Sequence, residues 1–264
     1  MMNFPLTIAA IALTALMPPA EAAALQEAGD PLGSARWGDM QKQVLPGATV
    51  IFDPRVKVIA PSVAENPMQV PVTIDATALP GVQEVLVFAD FNPILQVLRF
   101  FPEAAKPFLG FRLKLQQSSP VRAAVRTADG VWHVGGTWVN TTGGGCTAPS
   151  AAAASPEWQK RLNEVSARQW SEGPNAGRIR LRIVHPMDTG LIAGTPAFHL
   201  EEINLTDSAG RRLMRLQTYE PVAENPVFTL QRQGGGDIEI SGRDNNGNLL
   251  KARIAPCAAV SGAS

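Results

Sequence analysis

The chain is poor in the residues from which catalytic and metal centres are built. It has three histidines and two cysteines in 264 residues, and His133, His185 and His199 lack the short-range ligand spacing of a zinc site. No nucleophile elbow, P-loop or Rossmann glycine pattern occurs. Neither an enzyme, a metal nor a cofactor is indicated. Charge imbalance is absent too: 23 Lys plus Arg balance 23 Asp plus Glu, so no overall field draws nucleic acid or anionic lipid. Long apolar runs are missing except at the start, where Phe4 to Met17 precede Pro18-Pro19 and the small residues Ala20 to Ala24. That run is shorter than the ~20 residues a membrane-spanning helix needs. It reads as the h-region and cleavage site of a signal peptide, residues 1–24. The expectation is export into an oxidising compartment with no lasting membrane anchor.

What is abundant is turn chemistry. With 23 glycines, 22 prolines, 45% hydrophobic and 17% charged residues, the composition favours a turn-rich all-β chain over a helical bundle or a disordered one. The length suits two sandwiches of about 100 residues each. Trp37, Met40 and Val44 fall at helical spacing, predicting one short amphipathic helix. Beyond it the period becomes two: Phe111-Arg112-Leu113-Lys114-Leu115-Gln116 puts Phe111, Leu113 and Leu115 on a buried face and the three polar residues in solvent. Val70 to Ile74, Val85 to Phe88, Val121 to Thr127 and Val131 to Val139 read likewise as strands. Turns such as Asp129-Gly130 join them, which favours antiparallel sandwiches over βαβ units.

From Thr141 the character changes. Gly143-Gly144-Gly145-Cys146-Thr147-Ala148-Pro149-Ser150 and four alanines form a small-residue stretch with nothing to pack, read as the domain boundary. Ser155 and Pro156 then supply an N-cap and first-turn proline for a linker helix striped by Trp158, Leu162 and Val165 and stopped at Gly173-Pro174. A second set of strands follows: Arg178 to Ile183, Phe198 to Leu205, Leu213 to Tyr219, Val227 to Leu230, Ile238 to Ile240 and Leu249 to Ile254. The pentapeptide Val63 to Pro67 recurs as Val222 to Pro226, each time before a strand, a match short enough to be shared turn chemistry.

Cys146 carries the chemistry of greatest interest. Gly143, Gly144 and Gly145 give its backbone wide freedom, which suits a swinging arm whose thiolate holds a group covalently. Equally, two cysteines in an exported chain usually pair, so Cys146 and Cys257 are candidates for a structural disulfide. The residues leave both readings open. His185-Pro186-Met187-Asp188-Thr189-Gly190 is the other unusual string, read as a structural turn or docking surface, since Pro fixes φ and Gly supplies a tight turn. Asp90-Phe91-Asn92-Pro93 is a further turn, and the residues after it, Ile94, Leu95, Leu98 and Phe101, suggest a helical stripe buried under the sheet.

Together these strings resemble the SoxYZ carriers of thiosulfate oxidation fused into one polypeptide, specifically the SoxYZ-like carriers associated with quinoprotein dehydrogenases. Trp37, the Ala60-Pro61 to Pro71-Val72 run, Asp90-Phe91-Asn92-Pro93, Val121-Arg122-Ala123 and the cysteine arm resemble SoxY. Val184 to Gly190 and Glu224-Asn225-Pro226-Val227-Phe228 resemble SoxZ. The resemblance implies two immunoglobulin-like β-sandwiches, a SoxY-like domain over residues 31–142 and a SoxZ-like domain over 175–258, joined by an arm and linker helix over 143–174. It also implies a periplasmic carrier with no activity of its own. Its Cys146 thiol would serve partner redox enzymes, Sox-type enzymes or a quinoprotein dehydrogenase. In SoxY-type carriers the arm ends Gly-Gly-Cys-Gly-Gly, whereas here Thr147-Ala148-Pro149 follows the cysteine and the chain continues, so the arm is held at both ends.

Overall fold

The computed structural model describes residues 29–150, 157–173 and 176–256. The expected signal segment, Ser155, Pro156, Pro174 and Cys257 lie outside the described residues.

The first half contributes helix α1 (Trp37–Val44) and strands β1 (Val50–Phe52), β2 (Lys57–Ile59), β3 (Val63–Ala64), β4 (Val70–Asp75), β5 (Val82–Ala89), β6 (Gln96–Phe101), β7 (Ala105–Leu113), β8 (Ser119–Thr127) and β9 (Trp132–Thr141). The second contributes α2 (Glu157–Lys160) and β10 (Val165–Ser171), β11 (Ala176–Ile183), β12 (Asp188–Thr189), β13 (Ala197–Phe198), β14 (Leu200–Asp207), β15 (Arg212–Thr218), β16 (Val227–Gln233), β17 (Ile238–Asp244) and β18 (Leu249–Ile254). Each half is an immunoglobulin-like sandwich. Strict alternation sets the faces: in β11, Ile179, Leu181 and Ile183 are buried and Arg178, Arg180 and Arg182 exposed, as period-two side-chain geometry requires.

The two sandwiches join edge to edge. One sheet runs β1-β9-β8-β5-β6-β15-β14-β17-β18, with β3 also on β9, and the other runs β10-β11-β16-β7-β4-β2. The seam is antiparallel pairing of β6 with β15, Phe100 opposite Leu216, and of β7 with β16, Leu109 opposite Leu230. A single apolar core follows, in which Val85, Phe100, Leu109 and Phe111 of the first half share a cluster with Ile179, Leu181, Leu216 and Phe228 of the second. Each half covers what would otherwise be the other's exposed sheet edge. A second cluster forms where Met40, Val44 and Leu45 pack on Leu86, Phe88, Ala124 and Val134, so β5 is covered on both faces. That is why Val85 to Phe88 reads as a continuous apolar run and not an alternating one.

Two sequence expectations change. The stripe at Ile94 to Phe101 is not a helix. Gln96–Phe101 is strand β6, held between β5 and β15, because pairing across the seam outweighs a local 3.6-residue pattern. The linker helix is one turn, Glu157–Lys160, and its expected last stripe residue, Val165, opens strand β10. Asn163 at φ 61° breaks the helical path, and β10 pairs along its length with β11, Val165 opposite Ile183.

Candidate functional site

The site is built where the first half's last strand and the chain after β7 meet the second half's His185 to Gly190 loop. Cys146 is fully buried and its thiol is free. The candidate partner Cys257 lies outside the described residues. The Gly143 to Ser150 segment, expected to have nothing to pack against, is docked. Gly144 N–H donates to Gln116 O at 2.9 Å and Gly145 N–H to Leu115 O at 3.0 Å. Cys146 N–H donates to Gln116 Oε1 at 3.2 Å, its Sγ lies 3.8 Å from Lys114 O, and its carbonyl accepts from Thr189 Oγ1 at 2.6 Å. Ser150 Oγ donates to Glu224 Oε2 at 2.7 Å, tying the far end of the segment to the second half.

The glycines explain how so tight a fit is reached. A Cβ on Gly145 would stand 2.2 Å from Pro67 O and 2.7 Å from Leu115 O, and one on Gly143 would stand 2.7 Å from Gln116 O. Gly143 also has φ 86°, a conformation open to glycine at little cost. Gly143 and Gly145 thus serve close backbone approach in the docked segment, while Gly144, at φ 87°, has open space around its Cβ position.

Lys114 is the residue the alternating pattern misplaced. Predicted to face solvent, it is buried, because it lies one residue past the end of β7, where the docked segment and the Met187 loop close over it. Its Nζ donates to Met187 O. Burial lowers the Lys114 pKa, opposed by the nearby Cys146, Asp188, Glu224 and Glu220. Burial pushes the Cys146 thiol up to about 11, opposed by the Lys114 charge. The docked sulfur is therefore a protonated thiol at neutral pH, and the thiolate is the reactive form. Burial also raises Asp188, with Lys114 opposing and Glu224 reinforcing the rise.

The second-half string forms the wall. His185, Pro186 and Met187 are buried, Asp188 is half-buried and Gly190 is exposed. Met187 has φ 53°, and Gly190, at φ 74°, has its Cβ position 2.9 Å from Ala197 N, so left-handed backbone stands on both sides of the short strand β12. His185 Nδ1 accepts from Met187 N–H at 3.1 Å, leaving the hydrogen on Nε2, which points to Asp244 at 3.8 Å. Burial lowers the His185 pKa to about 4, opposed by Asp244, so the ring is neutral and structural. Asn225, at φ 46°, donates its N–H to His185 O at 2.8 Å and accepts from His185 N–H through Oδ1 at 3.3 Å.

The two copies of the pentapeptide flank one short stretch: Pro67 O accepts from Leu115 N–H at 2.8 Å, and Ala223 N–H donates to Arg112 O at 3.0 Å. The Asp90 turn has its own task. Asn92 Nδ2 donates to Lys114 O, and Asn92 Oδ1 accepts from Gln116 N–H, both at 2.9 Å, bracing the strand end beneath Cys146. Asp90 pairs at 2.9 Å with the buried Arg122, which also pairs with Asp30 at 2.7 Å and lies over the Trp37 ring. Sequence reasoning missed Lys114 and Gln116, which the alternation sends to solvent; Asn92 and Thr189 lie inside the two singled-out strings, but no local signal gave them a role at the thiol. Among the described residues no group of three or more His, Cys, Asp or Glu is placed to hold a metal, and no helix is long and apolar enough to cross a membrane.

Comparison with known proteins adds the family. The model of the sulfur oxidation protein SoxY matches residues 41–146, ending at Cys146, and that of the sulphur oxidation protein SoxZ matches residues 169–254. Among solved structures, the sulfur carrier protein SoxY from Chlorobium limicola f thiosulfatophilum is similar, with 22% identity and a TM-score of 0.35 over 40% of this chain and 96% of that one. No curated protein matches. With a SoxY domain and a SoxZ domain in order on one polypeptide, their sheets continuous and Cys146 docked between them, the chain is a fused SoxYZ-like protein.

Proposed function

We propose that the protein is a carrier of the sulfur-oxidation type whose Cys146 thiol is stowed between the two halves and presented to partner enzymes when the 143–150 segment undocks. The observation that supports this most is the free thiol at the last residue of the SoxY match. It is held by hydrogen bonds and glycine contacts of a segment that itself contributes little apolar packing. Such a segment opens at a small fraction of the global stability. Once in water the sulfur loses the burial that holds it near 11. The thiolate can then attack a sulfur–sulfur bond on a loaded donor: a new S–S bond forms at Cys146 as the old one breaks, and the donor's thiolate leaves with the electron pair, so no separate oxidant is required. Catalysis belongs to the partners. The apolar N-terminal segment supports export to the periplasm, and the subfamily resemblance supports a quinoprotein dehydrogenase among the partner redox enzymes.

A second reading is favoured by the same burial: a non-covalent binding or assembly factor whose Cys146 is structural and, with Cys257, forms a disulfide in the oxidised protein. Intact-mass analysis with and without reductant, followed by timed alkylation under native conditions, separates the two. A carrier shows Cys146 adducts removed by reductant, and alkylation far faster than global unfolding. A stable bridge to Cys257, or alkylation that keeps pace only with global unfolding in urea, rejects the carrier and supports the assembly factor.

A further inference from the structure

The outer face of the β10-β11-β16-β7-β4-β2 sheet carries a concentration of positive charge that the balanced composition conceals. Arg178, Arg180 and Arg182 project from β11, Arg168 from β10 and Arg112 from β7, all exposed. The registers place them on one surface: Arg168 opposite Arg180, Arg180 opposite Thr229, and Thr229 opposite Gly110. No carboxylate projects from β10, β11, β16 or β7 on this face. Arg178 pairs with Glu172 at the patch edge, and Glu164 lies within the field of Arg182. Arg112, Arg168 and Arg180 have no ion-pair partner among the described residues. Two arginines directly opposite on neighbouring strands repel, so the fold by itself gains nothing from Arg168 facing Arg180.

The surface is also shaped. Gly110 leaves the centre low, its Cβ position only 3.3 Å from Thr229 Cβ, and a groove of about 310 Å³ lies over it, lined by Thr73, Gly110, Arg112, Trp170, Arg180 and Thr229. Trp170 stands 44% exposed at its rim. We infer that this groove, which crosses the seam between the halves, is a docking surface for an acidic face of a partner protein. Charge complementarity and extent support that occupant. Four residues of strand separate Arg178 from Arg182, ~13 Å, and three strand spacings separate β10 from β7, ~14 Å, distances too great for one small oxyanion to bridge. Arginine and tryptophan are the side chains that most often anchor protein interfaces. The inference is independent of Cys146 chemistry.

The test uses the full chain and a synthetic ten-residue glutamate peptide as the acidic probe, with binding followed by calorimetry at low and moderate salt. The wild type and a C146S variant are expected to bind alike, more weakly as salt screens the charges. R112S/R168S/R180S should lose about tenfold or more in affinity with an unchanged or raised Tm. The variant R211S/R212S/R243S, which removes equal charge from arginines ion-paired elsewhere, should bind as wild type. The inference is overturned by equal binding in the first variant, by no binding of the peptide to wild type, or by sulfate displacing the peptide at micromolar concentration. Tighter binding of anionic phospholipid vesicles or single-stranded DNA than of the peptide also overturns it.

Discussion

Adding one methyl group at Gly145 tests whether close packing is what stows the thiol. In Gly145→Ala the new Cβ meets Pro67 O at 2.2 Å and Leu115 O at 2.7 Å. Both are backbone atoms in hydrogen-bonded segments and neither can swing aside. Overpacking of this kind costs ~1–3 kcal/mol, and the Gly145 N–H bond to Leu115 O goes with it, about 1 kcal/mol more. A combined loss of about 3 kcal/mol, borne by docking and not by the core, raises the open fraction of the segment roughly a hundredfold. Alkylation by iodoacetamide at pH 7.5, read by intact mass, should accelerate by about the same factor. Thiolate absorbance should titrate near the ordinary 9.0 in the variant and near 11 in the wild type. Gly144→Ala is the comparison. It has nothing within 4 Å of its Cβ position but φ 87°, so only a left-handed backbone cost of about 1–2 kcal/mol applies and the acceleration is smaller. If Gly145→Ala keeps the wild-type alkylation rate, titration and Tm, close packing does not stow the thiol and the reasoning fails.

Thr189→Val removes the hydrogen bond to Cys146 O at nearly constant volume, about 1 kcal/mol of docking; alkylation should rise roughly fivefold while global unfolding in urea changes little. Arg122→Ala leaves Asp90 and Asp30 without their shared buried partner, and chemical denaturation should report a loss of about 3–5 kcal/mol. His185, lowered from 6.5 to about 4, takes up its proton more readily in the unfolded chain. The stability it contributes is complete above pH 6.5 and is lost as pH falls towards 4, on the order of 3 kcal/mol. Urea unfolding at pH 7 and pH 4.5 should show that loss in the wild type and much less of it in His185→Gln; equal loss in both would assign the acid sensitivity to other groups.

Much of the scaffold was legible because its signals are local. The alternation in Arg178 to Ile183 names its own faces, and Trp37, Met40 and Val44 mark a helix whose buried side is set by periodicity alone. The Asp129-Gly130 turn needs only its own side chains, Asp129 Oδ1 accepting from Val131 N–H at 3.2 Å. Failures came where a neighbour distant in sequence decides. Ile94 to Phe101 carries a helical spacing, yet its partner is β15, more than a hundred residues on. Val165 continues a helical stripe, yet pairs with Ile183.

The site divides the same way. From its own residues the chain determined that one cysteine stands on three glycines beyond a last strand, and that a His-Pro-Met string with a tight turn opens the second half. Whether those glycines free the sulfur or let it be packed away was undetermined, because glycine permits both and only the atoms it meets choose between them. The tertiary structure chose: Pro67, Leu115 and Gln116 present their carbonyls where any larger side chain would collide, and Thr189 closes from the other half. The same holds for Lys114, polar by pattern and buried in fact. Its solvent side was taken by segments 32 and 73 residues away, those of Cys146 and Met187, and no local period can encode what will cover a strand end from so far along the chain.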